Sequence, residues 1–303
     1  MALTPVERLE AIIAGERTDR IPASVWFHFG SEHLPPEAVA RLHADYQRAY
    51  GWDFLKVMAD YRIALPDAAF TGNAIDPGLL LTGTDWDAQF RAQRQVIAWL
   101  RADLGPSIPL FDTLYSPWMQ LLRHLGRDQR QALLARPDIA QVLLVRLTDA
   151  TCRHIDRLRD EGVFGVFFAT TAASGAEGDA HLLQSAGDIR ILAHAEGLAR
   201  ILHVHGSGIA LDRVAAYPRE IIHCDDHDPA NPGLAALRMA GARAVMGGLP
   251  TTALTGLGLP ALRQAIIDAI TAAGPAGLML APGCSVSPSV SGRTLATIRD
   301  WRP

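Results

Sequence analysis

The sequence is almost without lysine: Lys56 is the only one among its 28 lysine and arginine residues. A coding bias toward arginine explains why arginine generally replaces lysine in this chain, but not why this one lysine is kept. Basic charge is not in excess either, since the formal net charge is −4 and the arginines form no basic stripe. These features argue against nucleic acid or an anionic membrane as a partner.

Cysteines and long apolar runs are also scarce. Cys152, Cys224 and Cys284 are widely spaced and odd in number, which disfavours a disulfide framework and favours a reducing compartment. The amino terminus lacks the pattern of a signal peptide, and no apolar run reaches the length of a membrane span. We therefore expect a cytoplasmic protein that acts on a small molecule.

Apolar sequence is abundant, at 49% of the 303 residues, and it alternates between strand and helix patterns. Strand-like runs occupy residues 21–29, 53–59, 108–114, 163–170, 199–205, 220–224, 244–249 and 278–281. Helical periodicity fills residues 36–50, 137–161, 178–195, 229–240 and 260–273. Eight strands that are apolar on both faces predict an α/β fold, a single (β/α)8 TIM barrel over residues 1–303. An open dinucleotide-binding sheet is disfavoured, because no Gly-x-Gly-x-x-Gly follows the first strand.

A helix is predicted before the barrel. Thr4 is a suitable N-cap, Pro5 favours the first helical position, and Glu7 completes a capping box. Apolar residues follow at helical spacing, and the segment ends near Gly15. We expect an N-terminal helical extension of the barrel.

Two histidines and one cysteine stand at the ends of predicted strands. His203 and His205 are two residues apart, so both side chains project from one face of a strand that ends at Gly206. Cys284 follows the last predicted strand in a similar way. Two imidazoles and a thiolate can bind zinc and leave its fourth position open, as in catalytic sites. A polar strand end without metal is the alternative interpretation.

Other polar residues at strand ends are candidates for the active site, because the sites of such barrels lie there. We predict substrate contacts from His28, Tyr61, Tyr115 and Thr170. Residues 223–228, at the end of the sixth strand, form the most polar segment of the chain. Within it, Asp225 or His227 could be a fourth metal ligand, a partner of a ligand imidazole, or a general base.

Lys56 lies in the middle of the second predicted strand and alternates with Phe54 and Met58. A buried lysine in a barrel can form a Schiff base with a carbonyl substrate. The alternative, which we favour, is an interior ion pair with Asp60 or another carboxylate of the barrel lining. Both Lys56 and Asp60 are candidates for acid–base catalysis.

The chain resembles the uroporphyrinogen decarboxylase-like superfamily along nearly its whole length. The resemblance is carried by residues 8–11, 15–16, 19–22, 53–58, 115–118, 166–170, 203–206 and 281–284. It implies a (β/α)8 barrel. In the zinc-dependent methyltransferase branch, the last two segments hold the metal ligands as His-x-Cys and a later Cys. Here His203 and Cys284 match that pattern, and His205 replaces the middle cysteine.

The resemblance suggests three functional hypotheses. The leading one is a zinc-dependent transferase that activates a thiol for methyl transfer from a corrinoid donor, with a corrinoid protein as partner. The second is a metal-independent decarboxylase of a small acid that uses Lys56, Asp60 and strand-end histidines. Porphyrinogens are disfavoured as substrates, because residues 28–34 lack the arginines of the decarboxylase branch. The third is a non-catalytic corrinoid or tetrapyrrole binder. The apolar segment 142–147 could support a homodimer.

Overall fold

The computed structural model describes residues 2–71 and 74–302, and its centre is a curled parallel sheet of seven strands. The strands of the chain are β1 (Leu55–Val57), β2 (Phe70–Thr71), β3 (Ala74–Ile75), β4 (Leu110–Tyr115), β5 (Gly165–Thr170), β6 (Ala199–Val204), β7 (Ile221–His223), β8 (Ala244–Leu249) and β9 (Leu278–Pro282). The sheet order is β1-β4-β5-β6-β7-β8-β9, and β2 and β3 form a separate antiparallel pair. This is the TIM-like α/β arrangement that the alternating pattern predicts, with seven sheet strands in the described residues.

Helices connect most of the sheet strands. They are α1 (Pro5–Ala14), α2 (Pro36–Tyr50), α3 (Pro77–Gly83), α4 (Ala88–Leu104), α5 (Pro117–Leu122), α6 (Arg127–Leu134), α7 (Pro137–Asp160), α8 (His181–His194), α9 (Leu234–Met239), α10 (Leu259–Ala273) and α11 (Gly292–Arg299). Along β5, Val166 and Phe168 belong to the outer apolar cluster, whereas Phe167 belongs to an inner one. Burial on both faces explains the continuous apolar runs of the sequence. Within the described residues, no helix has the length and apolarity needed to cross a membrane.

Both edges of the sheet are hydrogen-bonded to residues 22–24. Ala23 forms an isolated parallel bridge with Leu280 in β9, and the Ser24 amide donates to the Leu280 carbonyl at 3.1 Å. On the other side, the Asp53 amide, just before β1, donates to the Ala23 carbonyl at 3.1 Å. The segment therefore lies between the edges, in the place of the first predicted strand.

The strand predicted over residues 21–29 is wrong in its extent, because only one of its residues forms a bridge. Past that bridge, the backbone has other partners. The Tyr46 hydroxyl donates to the Val25 carbonyl at 2.9 Å, and the Val286 amide donates to the Trp26 carbonyl at 3.0 Å. These bonds satisfy the backbone without a continuous ladder.

The N-terminal helix forms as its capping residues predict. The Glu7 amide donates to Thr4 Oγ1 at 3.2 Å, and the Thr4 amide donates to Glu7 Oε2 at 2.8 Å. Leu9 and Ile12 are buried in the inner apolar cluster, together with inward-facing strand residues. The helix thus contributes directly to the interior that the curled sheet encloses.

Arg8 connects α1 to the amino end of the sheet through two ion pairs, of which the one with Asp53 is buried. Its Nη1 lies 2.6 Å from Asp53 Oδ1, and its Nε lies 2.8 Å from Asp19 Oδ1. The hydrogen bonds from Arg8 lower the pKa of Asp19 to about 2. Arg20 pairs with Asp53 as well. Because Arg8 is 3% exposed and Asp53 is 1% exposed, each charge depends on its partner for stabilisation.

Candidate metal centre and active site

A cavity of about 380 Å³ opens where the sheet strands end. Seven residues predicted for the site line it: His28, Lys56, Asp60, Tyr115, His203, His205 and Cys284. They come from segments far apart in sequence, because the carboxyl ends of parallel strands meet at one edge of the sheet. The volume is in the range of small-molecule binding sites.

His203, His205 and Cys284 lie together in this cavity. One ligand atom from each of the three lies within 4.8 Å of the other two, and Cys284 Sγ is 3.9 Å from His205 Nδ1. In a tetrahedral zinc site, such ligand atoms are about 3.3 to 3.6 Å apart. Small side-chain rotations would therefore bring all three to one ion, and the donor set fits zinc.

The electrostatics of these three side chains also suits metal binding. Burial holds the pKa of His203 well below its usual value, and its Nδ1 has no hydrogen-bond partner in the described part of the chain. Burial alone would raise the pKa of Cys284, but the hydrogen bond and charge of His205 lower it. The same hydrogen bond raises the pKa of His205. A metal ion bound by His205 and Cys284 would take the place of the hydrogen bond between them.

A further histidine, buried and absent from the predicted site, supports this group. The register of β6 and β7 places His223 beside His203, with ring centroids 4.7 Å apart. His223 Nε2 donates to the Pro282 carbonyl at 2.9 Å, at the start of the turn that carries Cys284. Burial lowers the pKa of His223 to about 3. The sequence could have indicated His223, because it stands at an inward-facing position of the strand next to that of His203.

Lys56 lines the cavity, and its amine lies beside two aromatic rings. Its Nζ lies 4.3 Å from the centre of the Phe167 ring, 5.3 Å from that of Trp26, and 3.0 Å from Met58 Sδ. Among the described residues, no carboxylate oxygen lies within 4.0 Å of Nζ, so the favoured ion pair with Asp60 is not formed. Burial lowers the pKa of Lys56 to about 7. The sequence could not show this because the two rings come from other segments.

Asp60 pairs with His28 instead. Asp60 Oδ1 lies 2.7 Å from His28 Nδ1, and the Ser31 hydroxyl donates to Asp60 Oδ2 at 3.0 Å. Burial alone would raise the pKa of Asp60, but these hydrogen bonds and the charge of His28 lower it to about 2. A fixed carboxylate that orients a half-exposed imidazole is suited to proton transfer at the cavity.

The two tyrosines predicted to contact substrate have different positions. Tyr115 lines the cavity, and the Arg123 guanidinium stacks on its ring at 4.0 Å. Tyr61 is outside the lining, and its hydroxyl donates to the Leu34 carbonyl at 2.9 Å. Arg123 and Arg62 also line the cavity although neither was predicted. Arg123 directly follows helix α5, so a search restricted to strand ends misses it.

Thr170 ends β5 but faces the surrounding helices, and the structure does not bring it to the cavity. Its hydroxyl donates to Asp188 Oδ2 at 2.7 Å, and the Tyr217 hydroxyl donates to the same oxygen at 3.4 Å. Asp188 is fully buried, with no hydrogen-bond partner for Oδ1 among the residues described. Burial therefore raises the pKa of Asp188 to about 7.

Asp188→Asn is expected to be more stable than the wild type at neutral pH. The unfolded chain releases the Asp188 proton near pH 4 and the folded chain near pH 7, so wild-type stability falls between these values. The variant lacks this loss, and its advantage should grow by roughly 2 to 4 kcal/mol from pH 4 to pH 7. Urea unfolding across this range measures the difference, and a pH-independent difference would contradict the assignment.

Asp225 and His227 are both outside the cavity lining. Asp225 packs closely against Gly283, in the turn before Cys284. The approach is so close that a Cβ atom on Gly283 would overlap the Asp225 backbone. His227 is partly exposed, with Nε2 3.8 Å from Asp226 Oδ2. The structure thus brings Asp225, but not His227, against the turn that carries a candidate ligand. Their catalytic roles stay predictions.

A curled parallel sheet with a polar cavity at the carboxyl ends of its strands places this chain in the TIM-like α/β class. A family model described as Uroporphyrinogen decarboxylase (URO-D) matches residues 80–302. The chain belongs to this family, which confirms the resemblance that its sequence motifs indicate.

Similar solved structures include a methyltransferase and a methionine synthase. A methyltransferase from Methanosarcina mazei is 16% identical, with 98% of each chain covered and a TM-score of 0.73. A B12-independent methionine synthase from Shewanella sp. W3-18-1, solved in complex with selenomethionine, is 13% identical. The match covers 93% of this chain and 92% of that one, with a TM-score of 0.57. At these identities the similarity establishes the fold. No curated protein matches the sequence significantly.

Proposed function

We propose that this protein is a zinc-dependent methyltransferase that transfers a methyl group from a corrinoid donor to a thiol or a similar nucleophile. The observation that carries the proposal is the convergence of ligand atoms from His203, His205 and Cys284 within 4.8 Å. Three such ligands leave a coordination position for a substrate. A zinc ion bound there would keep a substrate thiol deprotonated at neutral pH.

The residues around these ligands would bind and orient the acceptor. The rings of Trp26 and Phe167 form an apolar wall that excludes water from the nucleophile. The pair of Asp60 and His28 offers fixed hydrogen-bonding groups to the polar part of the substrate. Holding the acceptor in one orientation lowers the entropic cost of the transfer.

The corrinoid donor would be presented by a separate corrinoid protein. A corrinoid is larger than a cavity of about 380 Å³, so we place it over the cavity mouth and the acceptor inside. With His205 in place of a second thiolate, the ligand set carries one negative charge fewer. A bound ion is then more electrophilic than with two thiolates.

We also propose that residues 1–303 form one domain and that residues 22–24 serve as the eighth strand of a closed barrel. The hydrogen bonds of this segment to both Leu280 and Asp53 support that closure.

A cytoplasmic location is proposed from the cysteine content of the sequence. Helix α7 exposes Val142 and Val145, which supports its face as the surface of a homodimer.

The experiment that tests the function is methyl transfer from methylcobalamin to a simple thiol such as 2-mercaptoethanol. We expect turnover by zinc-loaded protein, followed as loss of the methylcobalamin absorbance, and abolition of turnover by a chelator. Adding zinc back should restore it. Undiminished activity after complete chelation would overturn the proposal, as would inactivity of the zinc-loaded protein toward a panel of thiols.

A second candidate function is metal-independent decarboxylation of a small acid, and the cavity lining gives it specific support. Arg62 and Arg123 both line the cavity. Arg123 donates to the carbonyls of Ala59 and Asp60 and has no carboxylate partner among the described residues, so its charge is available to a substrate carboxylate. Release of carbon dioxide from a small acid by chelated protein would favour this function over methyl transfer.

A further inference from the structure

Lys56 has surroundings that the proposed methyl transfer does not require. It is the only lysine of the chain, and it is buried except where it lines the cavity. Two aromatic rings and a thioether surround its amine in place of a carboxylate. A buried charge without a partner is unfavourable, so these surroundings point to use of the amine itself.

We propose that Lys56 is a covalent carbonyl-binding site, where Nζ forms a reversible imine with a small 2-oxo acid in the cavity. The aromatic wall of Phe167 and Trp26 shields the amine from water. Burial is also the main reason that the pKa of Lys56 falls to about 7, so much of the amine is neutral at neutral pH. A neutral, desolvated lysine is the nucleophilic form.

Neighbouring charges act on this amine in both directions. The negative charges of Cys284, Asp60 and Asp112 favour the ammonium form, and the positive charge of Arg123 favours the neutral amine. Together they leave burial as the deciding influence. The site therefore keeps a reactive amine without a permanent counter-ion.

The imine forms in two balanced steps. The lone pair of Nζ makes a C–N bond to the carbonyl carbon, the carbonyl π electrons move to oxygen, and that oxygen takes up the proton lost by nitrogen. The carbinolamine hydroxyl then takes up a proton and leaves as water while the nitrogen lone pair forms the C=N bond. The resulting iminium becomes the neutral imine when its N–H proton returns to the group that supplied the first. His28, held by Asp60 in the same cavity, is suited to protonate the leaving hydroxyl.

The acid group of the ligand is inferred from the arginines of the cavity. Arg62 and Arg123 line it together with Lys56. Arg123 stacks on the Tyr115 ring and donates to backbone carbonyls, so a ligand carboxylate would meet a charge that is already positioned. A 2-oxo acid offers a carboxylate and an adjacent carbonyl in one small molecule.

The test is reduction with borohydride in the presence of glyoxylate, followed by peptide mapping. Because the chain has one lysine, a modified ε-amine identifies Lys56, and the amino terminus serves as an internal reference. At pH 7 we expect Lys56 to react roughly a hundredfold faster than the lysine of a short peptide, since far more of it is neutral. Modification of the amino terminus alone would overturn the proposal.

Two variants and a second probe sharpen the result. Lys56→Arg should fold, by circular dichroism, and lose the adduct; if it fails to fold, the mapped wild-type adduct still decides. Arg123→Gln should slow labelling by glyoxylate but not by acetaldehyde, which lacks the acid group. Equal effects on both probes would overturn the assignment of Arg123. Labelling needs no zinc and is expected in chelated protein, so its failure leaves the methyltransferase proposal unaffected.

Discussion

Cys284→Ser is expected to weaken zinc binding by roughly a hundredfold or more, since each ligand of a zinc site contributes a few kcal/mol. Serine has nearly the same shape, but its hydroxyl remains protonated at neutral pH and supplies no negative charge. His205 would also lose its sulfur hydrogen-bond partner. Competition for zinc against a chelator of known affinity measures the change.

Two further comparisons make this result specific. Cys152→Ser removes a buried thiol in α7, outside the cavity lining, and should leave zinc affinity unchanged. His203→Ala should weaken binding about as much as Cys284→Ser, because both residues belong to the same ligand set. Full zinc affinity in Cys284→Ser would show that this thiolate is not a ligand and would remove the main support for the proposed function.

Asp53→Ala is expected to lower the free energy of unfolding by about 3 to 5 kcal/mol, the typical cost of leaving a buried charge without its partner. Asp53 Oδ1 lies 2.6 Å from Arg8 Nη1, and Asp53 also pairs with Arg20. One of its oxygens accepts the Ala23 amide at 2.9 Å. Its removal would leave Arg20 without an ion-pair partner among the described residues and the Ala23 amide without an acceptor, and of its two carboxylate partners Arg8 would keep only Asp19, as urea unfolding should show.

A surface pair provides the control for that experiment. Asp103 pairs with Arg48, and both side chains are substantially exposed, so Asp103→Ala should change stability little. Replacing Arg8 and Asp53 together by apolar residues should recover part of the stability lost in Asp53→Ala, because no charge of this pair then remains buried alone. Equal effects of Asp53→Ala and Asp103→Ala would contradict the assigned role of the buried network.

Sequence patterns predict the fold well where local rules decide the structure. The capping box of Thr4 and Glu7 starts a helix because both hydrogen bonds form within one turn. The buried strands follow from apolar runs that serve two faces of the sheet. The extent of the first strand could not be predicted, because the hydroxyl of Tyr46 and the amide of Val286 compete for its backbone from distant positions.

In the candidate site, too, some features could be predicted from the sequence and others could not. His203, His205 and Cys284 converge because strand ends meet, and sequence position alone determines which residues stand there. The environment of Lys56 depends on Phe167, which only the pairing of distant strands brings beside it. Thr170 stands at a strand end yet faces the helices, because side chains on a strand alternate between two sides.

The pairing of Ala23 with Leu280 also has a consequence during synthesis of the chain. The segment at residues 22–24 leaves the ribosome long before β9 exists, so it must wait for one of its two neighbours. Until then the sheet has open edges, which can pair with another nascent chain. Contacts between residues so far apart in sequence also form slowly. The yield of folded protein should therefore depend on chaperone capacity and on the speed of translation.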